Sequence, residues 1–341
     1  MKPIRVLVVD DSMLFRNMLS QLLEQDPMIH VVAAAADPYQ ARDMIIQYEP
    51  DVMTLDIEMP RMNGIEFLRK LMPQHPIPTV MISSLNSAVF DAMAAGAVDF
   101  VDKPQNTGSD SMYSWVKSEL ITKIKIASTV KVGRYKIANE FKAGSAGRTY
   151  PGKVVAIGAS TGGTEAIYSV VRQFNVDIPG TVIVQHMPPG FTKMYADRLN
   201  NQCRVAVKEA ESGDLLERGK VLIAPGDRHM RLVRSGTTYR VDCKKGEKVN
   251  GHCPSVDVLF KSVASSAASD AVGVILTGMG GDGAMGLKAM RKAGAHTIGQ
   301  DGQSCVVYGM PKVAYDIGAV EYQVSLENIA SKVYNILNSM P

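Results

Sequence analysis

Short apolar runs recur along the first 125 residues, and most give way to acidic or hydroxyl residues before a stretch of helical spacing. Ile4–Val9 ends at Asp10-Asp11, and Ser12 then offers an N-cap for a helix whose stripe reads Leu14, Met18 and Leu22. Ile29–Ala35 precedes Asp37 and a helix carrying Ala41, Ile45 and Tyr48. Asp51–Leu55 ends at Asp56, Pro78–Ile82 ends at Ser83, and Ala97–Val101 ends at Asp102-Lys103-Pro104. A helix from Ser111 to about Ala127, with Trp115, Leu120, Ile121 and Ile124, closes the series. Five strands alternating with helices predict a parallel, doubly wound α/β sheet with right-handed crossovers.

Residues 126–150 change character: Lys131, Arg134, Lys136, Lys142 and Arg148 accompany the flexible run Ala143-Gly144-Ser145-Ala146-Gly147. A solvated basic linker is expected there, with a docking strip for an acidic partner as the alternative. From Lys153 the alternation resumes and predicts a second, larger α/β domain over 151–341, mostly parallel. Its strands include Val154–Ile157, Thr181–Gln185 and Ala271–Leu276, with a helix from Thr164 to Phe174 and a short strand holding Val306 and Val307. Arg228–Arg234 and Thr237–Asp242, joined at Ser235-Gly236, predict an antiparallel hairpin. A terminal helix spans about Leu326 to Leu337.

Composition narrows the class without naming a function. The chain of 341 residues is 46% hydrophobic and 21% charged, too apolar for a disordered segment. Thirty-seven Lys and Arg against 34 Asp and Glu leave +3, too little to argue for a nucleic-acid or membrane partner. No apolar run approaches the roughly 18 residues of a membrane span, and Asp10 interrupts any signal-peptide core. Cys203, Cys243, Cys253 and Cys305 stand far apart, against a disulfide framework or a zinc knuckle. A soluble, cytoplasmic, two-domain protein is expected.

In a parallel doubly wound sheet, functional groups gather beyond the carboxyl ends of the strands. That rule brings Asp10, Asp11, Asp56, Ser83 and Lys103 to one edge of the first domain. Three carboxylates at close quarters need a cation or a raised pKa, and an all-oxygen set with room for water suits Mg²⁺. Asp56 is then placed to act as a nucleophile toward a phosphoryl group, with Lys103 and the Ser83 hydroxyl on the phosphate oxygens. Asp10-Asp11, the stretch Asp56-Ile57-Glu58-Met59-Pro60-Arg61-Met62-Asn63-Gly64, Ser83-Ser84 and Lys103-Pro104 resemble the receiver domain of two-component response regulators. The resemblance implies phosphorylation at Asp56 and Mg²⁺ held by Asp11, Asp56 and the Glu58 carbonyl, with Asp10 assisting. It also implies a switching aromatic at Phe100.

In the second domain, Gly158-Ala159-Ser160-Thr161-Gly162-Gly163 lies between a strand and a helix and formally fits G-x-S-x-G. Such a turn also binds phosphates, and a dinucleotide site would want an acid at the end of the next strand, about 20 residues on. That strand instead runs into Gln185-His186-Met187-Pro188. A third strand leads into Thr277-Gly278-Met279-Gly280-Gly281-Asp282-Gly283-Ala284, where Asp282 is either held at the same edge or caps the helix that follows. Ser160, His186 and Asp282 delivered to one edge make a nucleophile, base and orienter, in a chain order unlike that of α/β-hydrolases. The remaining histidines, His252 among them, read as surface or structural residues.

A receiver followed by Gly158–Gly163, Gln185–Phe191, Thr277–Ala284 and Ser304-Cys305-Val306-Val307-Tyr308-Gly309-Met310-Pro311 resembles the chemotaxis protein-glutamate methylesterase family over essentially the whole chain. Gly302 stands where that family leads one to expect an acidic residue. The resemblance implies hydrolysis of glutamate γ-methyl esters on methyl-accepting chemotaxis receptors, and deamidation of receptor glutamines, by Ser160, His186 and Asp282. It implies a chemotaxis histidine kinase as phosphodonor, and no cofactor in the catalytic domain. Backbone N–H groups near Thr161, Met279 and Gly280 are the expected oxyanion donors. Cys305, in an apolar run, reads as an inert thiol rather than a rival nucleophile. The receiver is expected to cover the catalytic cleft until Asp56 is phosphorylated. A transcriptional output domain is the competing class, but no basic recognition helix stands in the second half.

Overall fold

The computed structural model describes residues 2–84, 88–104, 109–130, 132 and 149–341. Its contacts divide into two compact units, Met1–Tyr135 and Lys136–Pro341. Most of the expected linker, 131 and 133–148, lies outside the described residues. Among the described residues, no helix is long and apolar enough to cross a membrane.

The first unit runs β1 (Ile4–Val9), α1 (Met13–Leu23), β2 (Ile29–Ala35), α2 (Pro38–Tyr48), β3 (Val52–Asp56), α3 (Gly64–Leu71), β4 (Thr79–Ser83), α4 (Ala88–Ala94), β5 (Asp99–Asp102), α5 (Ser109–Trp115) and α6 (Ile121–Ala127). The strands form one parallel sheet in the order β2-β1-β3-β4-β5. Val6, Leu7, Val8, Leu55, Met81 and Ile82 are buried because helices cover both faces of such a sheet. Ser12 caps α1 through Phe15 N–H, as the sequence predicted.

The apolar stripe of α1 differs from the predicted one. Phe15, Leu19 and Leu23 are buried, while Leu14 is 77% exposed and Met18 and Leu22 are half-buried. Two apolar series at four-residue spacing, 14/18/22 and 15/19/23, lie side by side on this helix. Apolarity cannot choose between them; the turn leaving β1 sets the phase. The long last helix is also interrupted, by a π-helical segment over Val116–Leu120 between α5 and α6. Met112, Val116, Leu120 and Ile124 recur every four residues and are all buried. At 100° per residue that spacing drifts out of line, and a wider turn restores it.

The second unit runs β6 (Val154–Ala159), α7 (Gly163–Val171), β7 (Thr181–Gln185), α8 (Phe191–Gln202), β8 (Ala206–Glu209), β9 (Lys220–Ile223), β10 (His229–Ser235), β11 (Thr238–Lys244), α9 (Val256–Ser266), β12 (Ala271–Ile275), α10 (Ala284–Lys292), β13 (His296–Gln300), α11 (Met310–Asp316), β14 (Tyr322–Val324) and α12 (Ile329–Ser339). Seven strands form a parallel sheet in the order β14-β13-β12-β6-β7-β9-β8, and β10 and β11 pair separately as the predicted antiparallel hairpin. The chain therefore leaves β6 toward β7 on one side and returns at β12 on the other. Crevices at such reversals, beyond the carboxyl ends of the strands, are where parallel sheets bind ligands.

Val306 and Val307 are not in a strand. The polar groups of Val307 are satisfied by a loop instead: its N–H donates to Thr277 Oγ1 (2.9 Å) and its carbonyl accepts from Gly278 N–H (3.1 Å). An isolated bridge between Gly278 and Tyr308 is the only ladder contact there among the described residues.

The α1 phase is checkable by denaturant unfolding of the full chain. Leu19→Ala should cost about 2–5 kcal/mol, as buried Leu truncations do, and Leu14→Ala less than about 0.5 kcal/mol. Equal losses at the two positions would contradict the observed face.

Candidate functional site

Strand order in the first unit assembles an acidic edge. Because β1 neighbours β3, and β3 neighbours β4, the ends of these strands place Asp10 and Asp11 beside Asp56 and Ser83. One carboxylate oxygen from each of Asp10, Asp11 and Asp56 lies within 4.8 Å of the others. Lys103 bridges the cluster, donating to Asp10 Oδ2 (2.9 Å) and Asp56 Oδ2 (3.1 Å). Gly64 is required beneath it: a Cβ there would lie 2.1 Å from the Asp56 carbonyl oxygen.

Burial pushes the Asp56 carboxyl up to about 6; Lys103 and a hydrogen bond from the Glu58 N–H oppose this, and the Asp10 charge adds to it. Burial alone would lower the Lys103 ammonium, but its hydrogen bond to Asp10 and the charge of Asp56 hold it above its ordinary range. A hard cation with oxygen ligands suits this donor set, since it neutralises carboxylates that otherwise repel. Ser83 is buried, and its hydroxyl donates to the Ser84 carbonyl (2.8 Å) rather than toward Asp56. Phe100 is buried edge-on against Phe90, with Lys123 Nζ 5.3 Å from its ring centre.

In the second unit the three central strands each deliver one residue to the same edge. Ser160 follows β6, His186 follows β7, and the loop after β12 carries Asp282. The register pairs Ala159 with Gln185 and Gly158 with Ile275, so β6 runs between the other two. His186 Nε2 and Asp282 Oδ2 are hydrogen-bonded at 2.9 Å, and both side chains are buried. Ser160 is half-buried and packed against Gly278, where a Cβ would come within 2.7 Å of the Ser160 Cβ. His186 Nδ1 is buried without a hydrogen-bond partner among the described residues. The structure thus unites imidazole and carboxylate but does not hydrogen-bond the Ser160 hydroxyl to the ring.

Asp282 does not cap the helix that follows it. The residue preceding α10 is Gly283, which makes no side-chain cap. The carboxylate instead faces the N-terminus of α9: Val256 N–H donates to Oδ2 (2.7 Å) and Asp257 N–H to Oδ1 (3.2 Å). Ser255 Oγ (2.8 Å) and Asn250 Nδ2 (2.9 Å) also donate to Oδ1. Burial alone would raise this carboxyl. The hydrogen bond and charge of His186, with the donors Asn250 and Ser255, outweigh it and hold Asp282 well below the usual carboxylate range.

Supporting residues that the sequence did not single out tie the strand ends together. Gln185 Nε2 donates to the carbonyls of Ser160 (3.0 Å) and His186 (3.2 Å), across two adjacent strands. Thr277 Oγ1 donates to the Thr161 carbonyl (3.0 Å), and Thr277 N–H to the buried Gln300 side chain (2.8 Å). Met279 is half-exposed in the loop whose Gly278 carbonyl accepts from Gly309 and Met310 N–H. His252, whose position in the sequence suggests only a surface or structural residue, stacks on His186 with ring centres 3.7 Å apart and planes 10° from parallel. Cys305 is half-buried, and burial pushes its thiol far up, away from the thiolate form. Gly302 lies against the Tyr308 ring, where a Cβ would come within 3.0 Å.

A family model described as CheB methylesterase matches residues 155–333, and one described as response regulator receiver domain matches residues 6–109. A Syntrophomonas wolfei protein named protein-glutamate methylesterase/protein-glutamine glutaminase 2 is 60% identical over 343 residues, covering 100% of this chain and 99% of its own. A Salmonella typhi protein named protein-glutamate methylesterase/protein-glutamine glutaminase is 47% identical, covering 98% of this chain and 97% of its own. The crystal structure of the Thermotoga maritima CheB methylesterase catalytic domain is 37% identical, with a TM-score of 0.52, and covers 55% of this chain and 97% of its own.

The raised Asp56 carboxyl has a stability consequence. Between 3.8 and about 6 the folded state binds more protons at Asp56 than the unfolded chain, so stability falls as pH rises through that window. With divalent cations chelated, Asp56→Asn should raise the thermal midpoint at pH 7, with the gain vanishing below about pH 4. A lower midpoint at pH 7 would mean that the Lys103 pairing outweighs burial.

Proposed function

The chain belongs to the CheB methylesterase family, and from that premise we propose that it is a phosphorylation-controlled serine hydrolase acting on glutamate γ-methyl esters of methyl-accepting chemotaxis receptors. The same site deamidates particular receptor glutamines, and the activity serves chemotactic adaptation in the cytoplasm. The observation that carries this reading is that Ser160, His186 and the Asp282 loop follow three adjacent parallel strands, with His186 Nε2 bound to Asp282 (2.9 Å).

In this reading the two ring nitrogens have different roles. Asp282 accepts the Nε2 proton and stabilises the imidazolium, which leaves Nδ1 as the basic nitrogen. Ser160 Oγ attacks the ester carbonyl as its proton passes to Nδ1; such contacts are often loose before substrate binds. The proton then goes to the departing methoxide, giving methanol and an acyl-serine. Water repeats the sequence and frees the glutamate carboxylate. Backbone N–H groups of Thr161, Met279 and Gly280 are the proposed donors to the tetrahedral oxyanion, one such donor contributing about 3 kcal/mol elsewhere. Gln185 and Thr277 support the assignment, since their hydrogen bonds hold the Ser160, His186 and Thr161 carbonyls in place. Deamidation expels a poorer leaving group and so leans harder on His186 as acid.

Asp56 is the proposed phosphoacceptor, taking its phosphoryl group from a chemotaxis histidine kinase. Asp11, Asp56 and the Glu58 carbonyl, assisted by Asp10, would hold Mg²⁺, which would supply neutralising positive charge. Lys103 pairs with the acquired phosphate, and Ser83 exchanges its Ser84 partner for a phosphate oxygen. Phe100 is the aromatic that rearranges with Ser83. Residues 1–125 form the regulatory domain, 126–150 the linker and 151–341 the catalytic domain in this reading.

Methanol release from methylated receptor membranes tests both parts. Ser160→Ala should lower it by about 10⁶-fold, as loss of a triad nucleophile does elsewhere; substantial residual release would refute the assignment. Asp56→Asn should keep basal release and lose stimulation by a small-molecule phosphodonor. Stimulation that persists in Asp56→Asn would place the control elsewhere.

A further inference from the structure

One tight turn touches both members of the imidazole–carboxylate pair. Val249 and His252 exchange backbone hydrogen bonds, each 3.0 Å, across the two residues between them. Those residues, Asn250 (φ 53°) and Gly251 (φ 85°), are both left-handed, the conformation of a type I′ turn, which Asn-Gly favours. The turn presents two side chains with different tasks. The Asn250 amide donates to Asp282 Oδ1 (2.9 Å) and to Asp257 Oδ2 (3.1 Å), spanning two buried carboxylates. The His252 ring lies flat on the His186 ring.

We propose that the 249–252 turn is a positioning element of the catalytic site, in which Asn250 orients Asp282 and His252 fixes the ring plane of His186. The inference rests on the assignment of His186 and Asp282 to the hydrolytic site. Its physical basis is a deficit in the pair itself. The hydrogen bond at Nε2 lies close to the Cβ–Cγ axis of His186 and restrains rotation about it only weakly, and Nδ1 has no hydrogen-bond partner among the described residues. A parallel ring at 3.7 Å blocks that swing on one face, without competing for either nitrogen of His186. Asp282 Oδ1 accepts from Asn250 Nδ2 as well as from Ser255 Oγ and the Asp257 N–H, and together these keep Oδ2 aimed at the imidazole. Of the three, Asn250 is the one that shares a turn with His252, so the two restraints move together.

The test combines kinetics with a spectroscopic readout on the full chain. Ester hydrolysis is measured for Asn250→Ala, His252→Ala and His252→Phe, the last keeping a flat ring without nitrogens. The proton shared by His186 and Asp282 is followed as a downfield resonance, assigned by its loss in His186→Ala. We expect Asn250→Ala and His252→Ala to lower kcat by about 10²-fold with KM little changed, the scale of a mispositioned catalytic group. The downfield resonance should broaden in both, and His252→Phe should restore kcat and resonance. Unchanged kcat and resonance in the two alanine variants, with folding confirmed by thermal unfolding, would overturn the proposal. So would a His252→Phe variant as impaired as His252→Ala. The resonance is also recorded in Ser160→Ala, so the turn's hold on the pair is judged even if Ser160 proves not to be the nucleophile.

Discussion

The proposed hydrolytic site depends on keeping one carboxylate ionised in the interior. Asp282 is almost fully buried, where an isolated carboxylate would neutralise itself by taking up a proton. It remains charged because the N-terminus of α9 points two backbone N–H groups at it, while Ser255, Asn250 and His186 complete its shell. A neutral acid at this position would neither hold the Nε2 proton of His186 nor favour the imidazolium. The Asp282 loop, the start of α9 and the Asn250 turn are therefore parts of one electrostatic device.

The receiver-like unit solves a related problem by other means. Its carboxylates also sit at the ends of parallel strands, and among the described residues Asp56 accepts from Lys103 and the Glu58 N–H. Lys103 alone bridges Asp10 and Asp56, and burial still pushes the Asp56 carboxyl up to about 6. That site is under-neutralised by its own residues, and a cation or a phosphoryl group changes its balance. The Asp282 site is saturated with donors. One unit is built to respond to an arriving charge, and the other to hold a fixed one.

Much of the fold was legible in the pattern of apolar runs, because a parallel strand buried on both faces cannot be disguised. Asp10, Asp56, Ser83, Ser160 and His186 were readable as strand-end residues for the same reason. Other features were not. The buried face of α1 is the 15/19/23 series because the preceding turn sets the helix phase, which two equally apolar stripes leave open. Val306 and Val307 have the composition of a strand, yet the Thr277–Gly278 segment satisfies Val307. Asp282 was readable either as an orienter or as a helix cap, and the choice rested on which helix its side chain meets.

What the chain determined by itself was local: where strands end and which residues stand at those ends. Period-two and period-3.6 patterns and turn propensities carry that information within a few residues. Which distant residues share a neighbourhood was decided only by packing. Asn250 and His252 reach Asp282 and His186 across 32 and 66 positions of sequence, counting from 250 to 282 and from 186 to 252. No local preference encodes such a pairing. It exists because β6, β7, β12 and α9 bury their apolar faces together, and that burial brings the turn onto the pair.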